Sequence, residues 1–207
     1  MSIAKFAAAT AVAALMATGA SAATLSFTGV GTTQMLANND LGFNGQTIDF
    51  IAGNAKNNSN GLSVSDAAYV TYTYVGYEAS NNNYSANVGG NIFVNGSASA
   101  GDTSTTIQVA AGLIDFSFGT SSPAGSVGQI WNNGGANPAS PNFAIGYQQI
   151  SDTAWYVFFD DIAAGDRDFD DLVMRIDVAP VPLPAAGFLL LGGLGALGAM
   201  ARRRKSA

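Results

Sequence analysis

Residues 68–77 read Ala-Tyr-Val-Thr-Tyr-Thr-Tyr-Val-Gly-Tyr. Tyr69, Thr71, Thr73, Val75 and Tyr77 fall on one side of an extended chain, and Val70, Tyr72 and Tyr74 on the other. β-branched and aromatic residues on both sides describe a strand covered on both faces. Such a strand forces a layered β-fold around itself. Further alternating or short apolar runs stand at 24–30, 48–51, 91–95, 105–110, 113–118, 142–147, 154–159 and 171–178. Clusters of Gly, Asn and Ser separate them as turns. No helical periodicity of useful length occurs between residues 23 and 180. The pattern predicts about nine strands in an all-β, two-sheet antiparallel β-sandwich, jelly-roll-like in form. Three long polar loops, 54–61, 79–90 and 119–141, are candidate rims of a ligand site.

Segments flanking this domain have other grammars. Residues 1–22 carry Lys5, an apolar stretch 6–16 and the small-residue ending Ala20-Ser21-Ala22. That order predicts a secretory signal peptide, an N-terminal signal helix cut by signal peptidase after Ala22. Residues 181–207 begin Val181-Pro182-Leu183-Pro184-Ala185, continue through an uncharged apolar span 185–201, and end in the basic run 202–205. A helix over 185–201 reaches about 25 Å, just under a ~30 Å hydrocarbon core, with the basic residues as a cytoplasmic stop. Gly193-Leu-Gly-Ala-Leu-Gly198 matches a dinucleotide-binding fingerprint letter for letter. That motif needs a preceding strand, a following helix and an acid some 20 residues on, so it reads here as a small-residue helix face.

The tail closely resembles the VPLPA-type variant of the PEP-CTERM sorting signal. The resemblance implies a membrane partner, an exosortase-type cysteine enzyme, that reads residues 181–185. It also implies delivery to a bacterial surface after a transient stay in the inner membrane through the C-terminal helix. A tail of this kind is removed from the mature chain, as in GPI-type anchoring.

Net charge sharpens once those segments are set aside. The whole chain carries −6. The domain 23–180 keeps only Lys56, Arg167 and Arg175 against all fourteen acids, which leaves −11. Such a surface excludes nucleic acid as a partner and is repelled by anionic lipid. The sequence has no Cys, so no disulfide reinforces an exported fold. Stability must come from the core, with a bound cation as a candidate contributor.

Six of the fourteen acids fall within residues 160–171: Asp160, Asp161, Asp166, Asp168, Asp170 and Asp171. Asp166, Asp168 and Asp170 alternate, so an irregular loop can turn their carboxylates toward one centre. Hard oxygen donors in that number suit Ca²⁺. The competing reading is a solvated acidic loop partly neutralised by Arg167. An EF-hand is rejected, because Asp171 stands where the loop needs Gly and Asp177 where it needs Glu. Residues 159–173 resemble the Gly-Asp-Arg-Asp-Phe-(Asn/Asp)-Asp-Leu-Val signature of many exported PEP-CTERM proteins, akin to the domain family of unknown function numbered 4114. The resemblance implies a β-sandwich with an acidic, calcium-binding loop and no known enzymatic activity.

Enzyme readings are thin. The chain has no His and no Cys, and Glu78 is its only Glu. This removes the usual general base and the thiol nucleophile. Two Asp residues can serve a glycosidase, but no spacing singles out a pair. Trp131 falls in the Gly- and Asn-rich stretch 119–141 and is a candidate glycan contact. The expectation is a non-enzymatic, calcium-binding protein of the cell surface or extracellular matrix, with exopolysaccharide of a biofilm as a candidate partner. A carbohydrate-binding module and a polysaccharide-acting enzyme using Asp residues are the alternatives.

Overall fold

The computed structural model of the chain describes residues 22–29, 31–53, 59–79, 82–121, 127–132, 143–161 and 167–182, together with 192–195 and 198. The strands lie in one unit, Ala22–Pro180. In chain order they are β1 (Leu25–Thr28), β2 (Thr32–Met35), β3 (Thr47–Ala52), β4 (Gly61–Val64), β5 (Ala68–Gly76), β6 (Asn83–Asn87) and β7 (Gly90–Val94). There follow β8 (Ile107–Val109), β9 (Gly112–Leu113), β10 (Ser117–Ser121), β11 (Val127–Trp131), β12 (Ala144–Ser151), β13 (Ala154–Asp160) and β14 (Leu172–Pro180). The described residues of this unit contain no α-helix. Of the predicted C-terminal helix, 192–195 and 198 are helical, and among the described residues no helix is long and apolar enough to cross a membrane. The predicted signal helix and most of the predicted span lie outside the described residues.

The protein is all-β, with every sheet antiparallel. Three sheets form where two were expected: β1-β4-β9, β11-β10-β6-β7, and the seven-stranded β2-β3-β12-β13-β14-β5-β8. β13 is the central strand of the largest sheet. Its sequence Ala-Trp-Tyr-Val-Phe-Phe-Asp is apolar almost throughout because both of its faces are covered. Trp155, Val157 and Phe159 face the main core with Tyr72 and Tyr74 of β5, Met174 and Ile176 of β14, Leu62 of β4 and Phe118 of β10. That core therefore draws on all three sheets. Phe158 faces the opposite way, into a smaller cluster with Leu36, Phe43, Phe50, Phe169 and Val173. The turn 36–46 and Phe169 thus roof the outer face of the large sheet. Burying a Phe on each side stabilises the central strand by roughly 2–3 kcal/mol per ring.

β5 matches its predicted span and alternates as expected, with Ala68, Val70, Tyr72 and Tyr74 buried. The predicted strand 113–118 breaks in two. Leu113 ends β9 in the three-stranded sheet, and Ser117 opens β10 in the four-stranded one. Asn132 fixes that crossing. Its Oδ1 accepts from the Leu62 amide at 2.8 Å, and its Nδ2 donates to the carbonyls of Leu62 and Ile114 at 2.9 and 2.7 Å. Gly61 must be glycine beside it. Its φ is +139°, and a Cβ there would stand 2.4 Å from Asn132 Oδ1.

Candidate cation site

β13 ends at Asp160 and β14 begins at Leu172, and the acidic run lies between them. Phe159 stacks on Phe118 in the main core, with ring centroids 5.3 Å apart. Phe169 packs against Phe50 in the outer cluster, also at 5.3 Å. The two rings pin the ends of the run to opposite faces of the large sheet. Between them the backbone is forced: Arg167 and Phe169 sit at φ +50° and +59°, the left-handed region that costs a non-glycine residue roughly 1–2 kcal/mol. Gln34 of β2 and the turn 36–46 hold them there. Gln34 donates to the Arg167 carbonyl at 2.8 Å, and Asn39 Nδ2 donates to the Asp168 carbonyl at 2.9 Å. The Arg167 guanidinium lies over the Phe50 ring at 5.4 Å.

Asp170 and Asp171 accept from different backbone amides, those of Asp40 and Asp161. The left-handed residue at 169 and the strand pairing beyond it send neighbouring side chains to different partners. Asp170 is fully buried and faces the 36–46 turn, where its Oδ2 accepts from the Asp40 amide at 2.6 Å. Burial pushes its carboxyl up to about 7, with Asp168 and Glu78 adding to the rise and the Asp40 amide opposing it. Its Oδ1 has no hydrogen-bond partner. Asp171 turns back on the strand end instead, its Oδ2 accepting from the Asp161 amide at 2.6 Å. Burial and the charges of Asp161, Asp160 and Asp168 push Asp171 up to about 8, against that amide. Asp168, half-buried, raises both acids and so links the two groups.

Asp160 and Asp161 are buried at 1% and 5% exposure. Asp161 Oδ2 accepts from Asn83 Nδ2 on β6 at 2.8 Å, and the Asp171 carbonyl accepts from Asn95 Nδ2 at 3.2 Å. Asp166 lies outside the described residues. Among the described residues no three acidic side chains stand close enough to hold a metal by themselves. An ion here must also take neutral oxygens, and buried ones are present. Besides Asp170 Oδ1, the side-chain oxygens Asn83 Oδ1 and Thr120 Oγ1 are buried without a partner. Carboxylate, carbonyl and hydroxyl oxygens are the hard donors that Ca²⁺ takes, with Asp170 Oδ1 toward the 36–46 turn and Asn83 Oδ1 and Thr120 Oγ1 on the four-stranded sheet.

The expected setting of Trp131 is corrected. It closes β11 opposite Ser117, half-buried, rather than standing in a loop. The neighbouring glycines and asparagines disguised a strand. Asp177, on the outer face of β14, pairs with Arg175. Val181 and Pro182 follow β14 without regular structure, while Leu183, Pro184 and Ala185 lie outside the described residues. A cleft of about 420 Å³ opens elsewhere, lined by Asn87, Asn91, Ile92, Ser104, Ile107 and Asp115 among others.

Sequence reasoning missed Asn39, Glu78, Asn83, Asn95 and Thr120. Asn83 belonged to a polar stretch that read as a loop, and nothing local marks it as buried. No protein-family model, curated protein or solved structure matches the chain.

Proposed function

We propose that the chain is an exported, non-enzymatic β-sandwich protein of the bacterial surface or extracellular matrix, stabilised by Ca²⁺ at the 160–171 loop. In this reading the seven-stranded sheet forms one layer of a jelly-roll-like sandwich and the two smaller sheets the other. Signal peptidase releases residue 23, an exosortase-type enzyme acts on the 181–185 motif, and exopolysaccharide is the matrix partner. The observation that carries the calcium reading is Asp170: a fully buried carboxylate with one unpartnered oxygen, crowded by Asp168 and Glu78. A carboxylate in that position is costly until a cation or a proton neutralises it. Calorimetric titration of the full chain in mild detergent with Ca²⁺ tests the reading. Saturable binding that Asp170→Asn weakens is expected, and no heat of binding at several millimolar Ca²⁺ sinks it.

The carbohydrate-binding alternative draws support from the cleft rather than from Trp131. Asn87, Asn91, Ser104 and Asp115 give its wall the amide, hydroxyl and carboxylate groups that sugar hydroxyls pair with. Glycan-array binding lost in Asn91→Ala and kept in Trp131→Ala is the expected outcome, and the reverse pattern rejects the cleft.

A further inference from the structure

Three residues form one row across the inner face of the four-stranded sheet. Thr120 of β10 stands directly opposite Asn83 of β6, and the Asn95 amide donates to the Asn83 carbonyl at 2.9 Å, continuing the register beyond β7. Cross-strand partners share a face, with Cβ atoms about 5 Å apart. The next row, two residues along, is Phe118, Ser85 and Phe93, and both of its rings belong to the main core. The Thr120–Asn83–Asn95 row therefore lies at the margin of that core and is itself buried, at 3%, 0% and 9% exposure.

Three polar residues buried side by side normally satisfy one another or a partner across the core. Here the two asparagine amide groups have acceptors, Asp161 Oδ2 and the Asp171 carbonyl. Asn83 Nδ2 goes to Asp161, whereas Asn83 Oδ1 and Thr120 Oγ1 meet nothing. The amide orientation is fixed by chemistry, since turning Asn83 over would set its oxygen against the Asp161 carboxylate. The two unpartnered oxygens thus belong to directly opposed residues of one buried row, and the Asn83 amide holds the buried Asp161 carboxylate just past the end of β13.

We propose that Asn83 Oδ1 and Thr120 Oγ1 are ligands of a divalent cation shared with Asp161, so that calcium joins the four-stranded sheet to the seven-stranded one. The inference rests on the reading that the 160–171 loop binds Ca²⁺ and adds where the remaining ligands come from. Two neutral oxygens and one carboxylate leave coordination positions for backbone carbonyls, as Ca²⁺ sites of mixed donors do. The arrangement makes the ion a cross-link between layers, in a fold that has no disulfide to serve that end.

Thr120→Val and Thr120→Ser, titrated with Ca²⁺ as full chains in mild detergent, test it. Valine keeps the shape and removes the oxygen, and serine keeps the oxygen. Thr120→Val is expected to weaken Ca²⁺ binding about tenfold or more, at the level of a lost metal-site partner. Its melting temperature without Ca²⁺ is expected to stay equal or rise, because an unpartnered buried hydroxyl has gone. Thr120→Ser is expected to retain wild-type affinity. A Thr120→Val chain that binds Ca²⁺ like wild type overturns the inference, and leaves the loop reading standing if Asp170→Asn still loses affinity. A wild-type chain that binds no Ca²⁺ overturns both.

Discussion

The Tyr147 hydroxyl donates to Asn132 Oδ1 at 3.0 Å, although the two residues come from different sheets. Asn132 follows β11 of the four-stranded sheet, and Tyr147 lies in β12 of the seven-stranded one. Because the same Oδ1 also takes the Leu62 amide of β4, one buried side chain links all three sheets. Burial raises the Tyr147 hydroxyl well above its ordinary value, so it remains a donor across the working pH range.

Removing that link is expected to be costly. Asn132→Ala strands the Leu62 amide, the Tyr147 hydroxyl and the Ile114 carbonyl, while the Leu62 carbonyl keeps the Ile114 amide, a loss of about 3–5 kcal/mol. Tyr147→Phe removes one donor while Asn132 Oδ1 keeps another, and is expected to cost about 1 kcal/mol. Urea denaturation of the two variants measures both. A cost below that of Tyr147→Phe for Asn132→Ala contradicts the assignment.

Stability without calcium is expected to fall as pH rises. Burial pushes the Asp170 and Asp171 carboxyls up to about 7 and about 8, from an ordinary value of 3.8. The folded state therefore holds more protons than the unfolded chain between those limits. The contribution is fully present below about pH 4 and is lost as pH climbs through 7 and 8. Melting curves in chelator from pH 4 to 8.5 report it, and Ca²⁺ is expected to flatten the upper half of the profile. A chelated protein that grows more stable across pH 5–8 contradicts the burial of these acids.

Calcium itself is expected to raise the melting temperature. At ten times a Kd of about 10⁻⁴–10⁻³ M, linkage supplies roughly 1.4 kcal/mol. For a domain of this size that is about 3–6 °C. Mg²⁺ is expected to do less, since it sheds water reluctantly and demands stricter octahedral geometry. Asp168→Asn is expected to reduce the shift. Asp102→Asn is expected to preserve it, because Asp102 caps the Ser99 amide away from the loop. Equal shifts with both ions point to screening of net charge instead of a site.

Sorting is tested at the prolines. Pro182→Ala with Pro184→Ala removes the two rings that restrict φ in the motif. The double variant is expected to accumulate unprocessed in the inner membrane, read by fractionation and immunoblotting. Normal release of the double variant rejects the sorting reading.

What the sequence made legible followed burial by apolar residues. β5, β13 and β14 carry their alternation or continuous apolarity in plain view, because their faces meet hydrocarbon. β6 does not: Asn-Tyr-Ser-Ala-Asn reads as a loop, yet Asn83 and Ser85 are fully buried. Their burial is set by partners on β10, β7 and the acidic run, brought together only by the fold. The same holds for β11, where flanking Gly and Asn masked five paired residues. Composition located the acidic run. Which acids faced which partners depended on two left-handed residues, Arg167 and Phe169, that no propensity marks.

β14 lies between β13 and β5, and its partners on β5 are on the order of a hundred residues earlier in the chain. Until β14 arrives, β5 and β13 each present an open edge in the middle of the largest sheet. Closing so long a loop is slow, and the open edges invite pairing with other chains meanwhile. A chain made from its N-terminus completes β14 last of the described strands, immediately before Val181. The order of synthesis thus makes this strand the latch: the large sheet closes only when nearly all of the unit has been made, and a chain stopped before residue 172 leaves two sticky edges open.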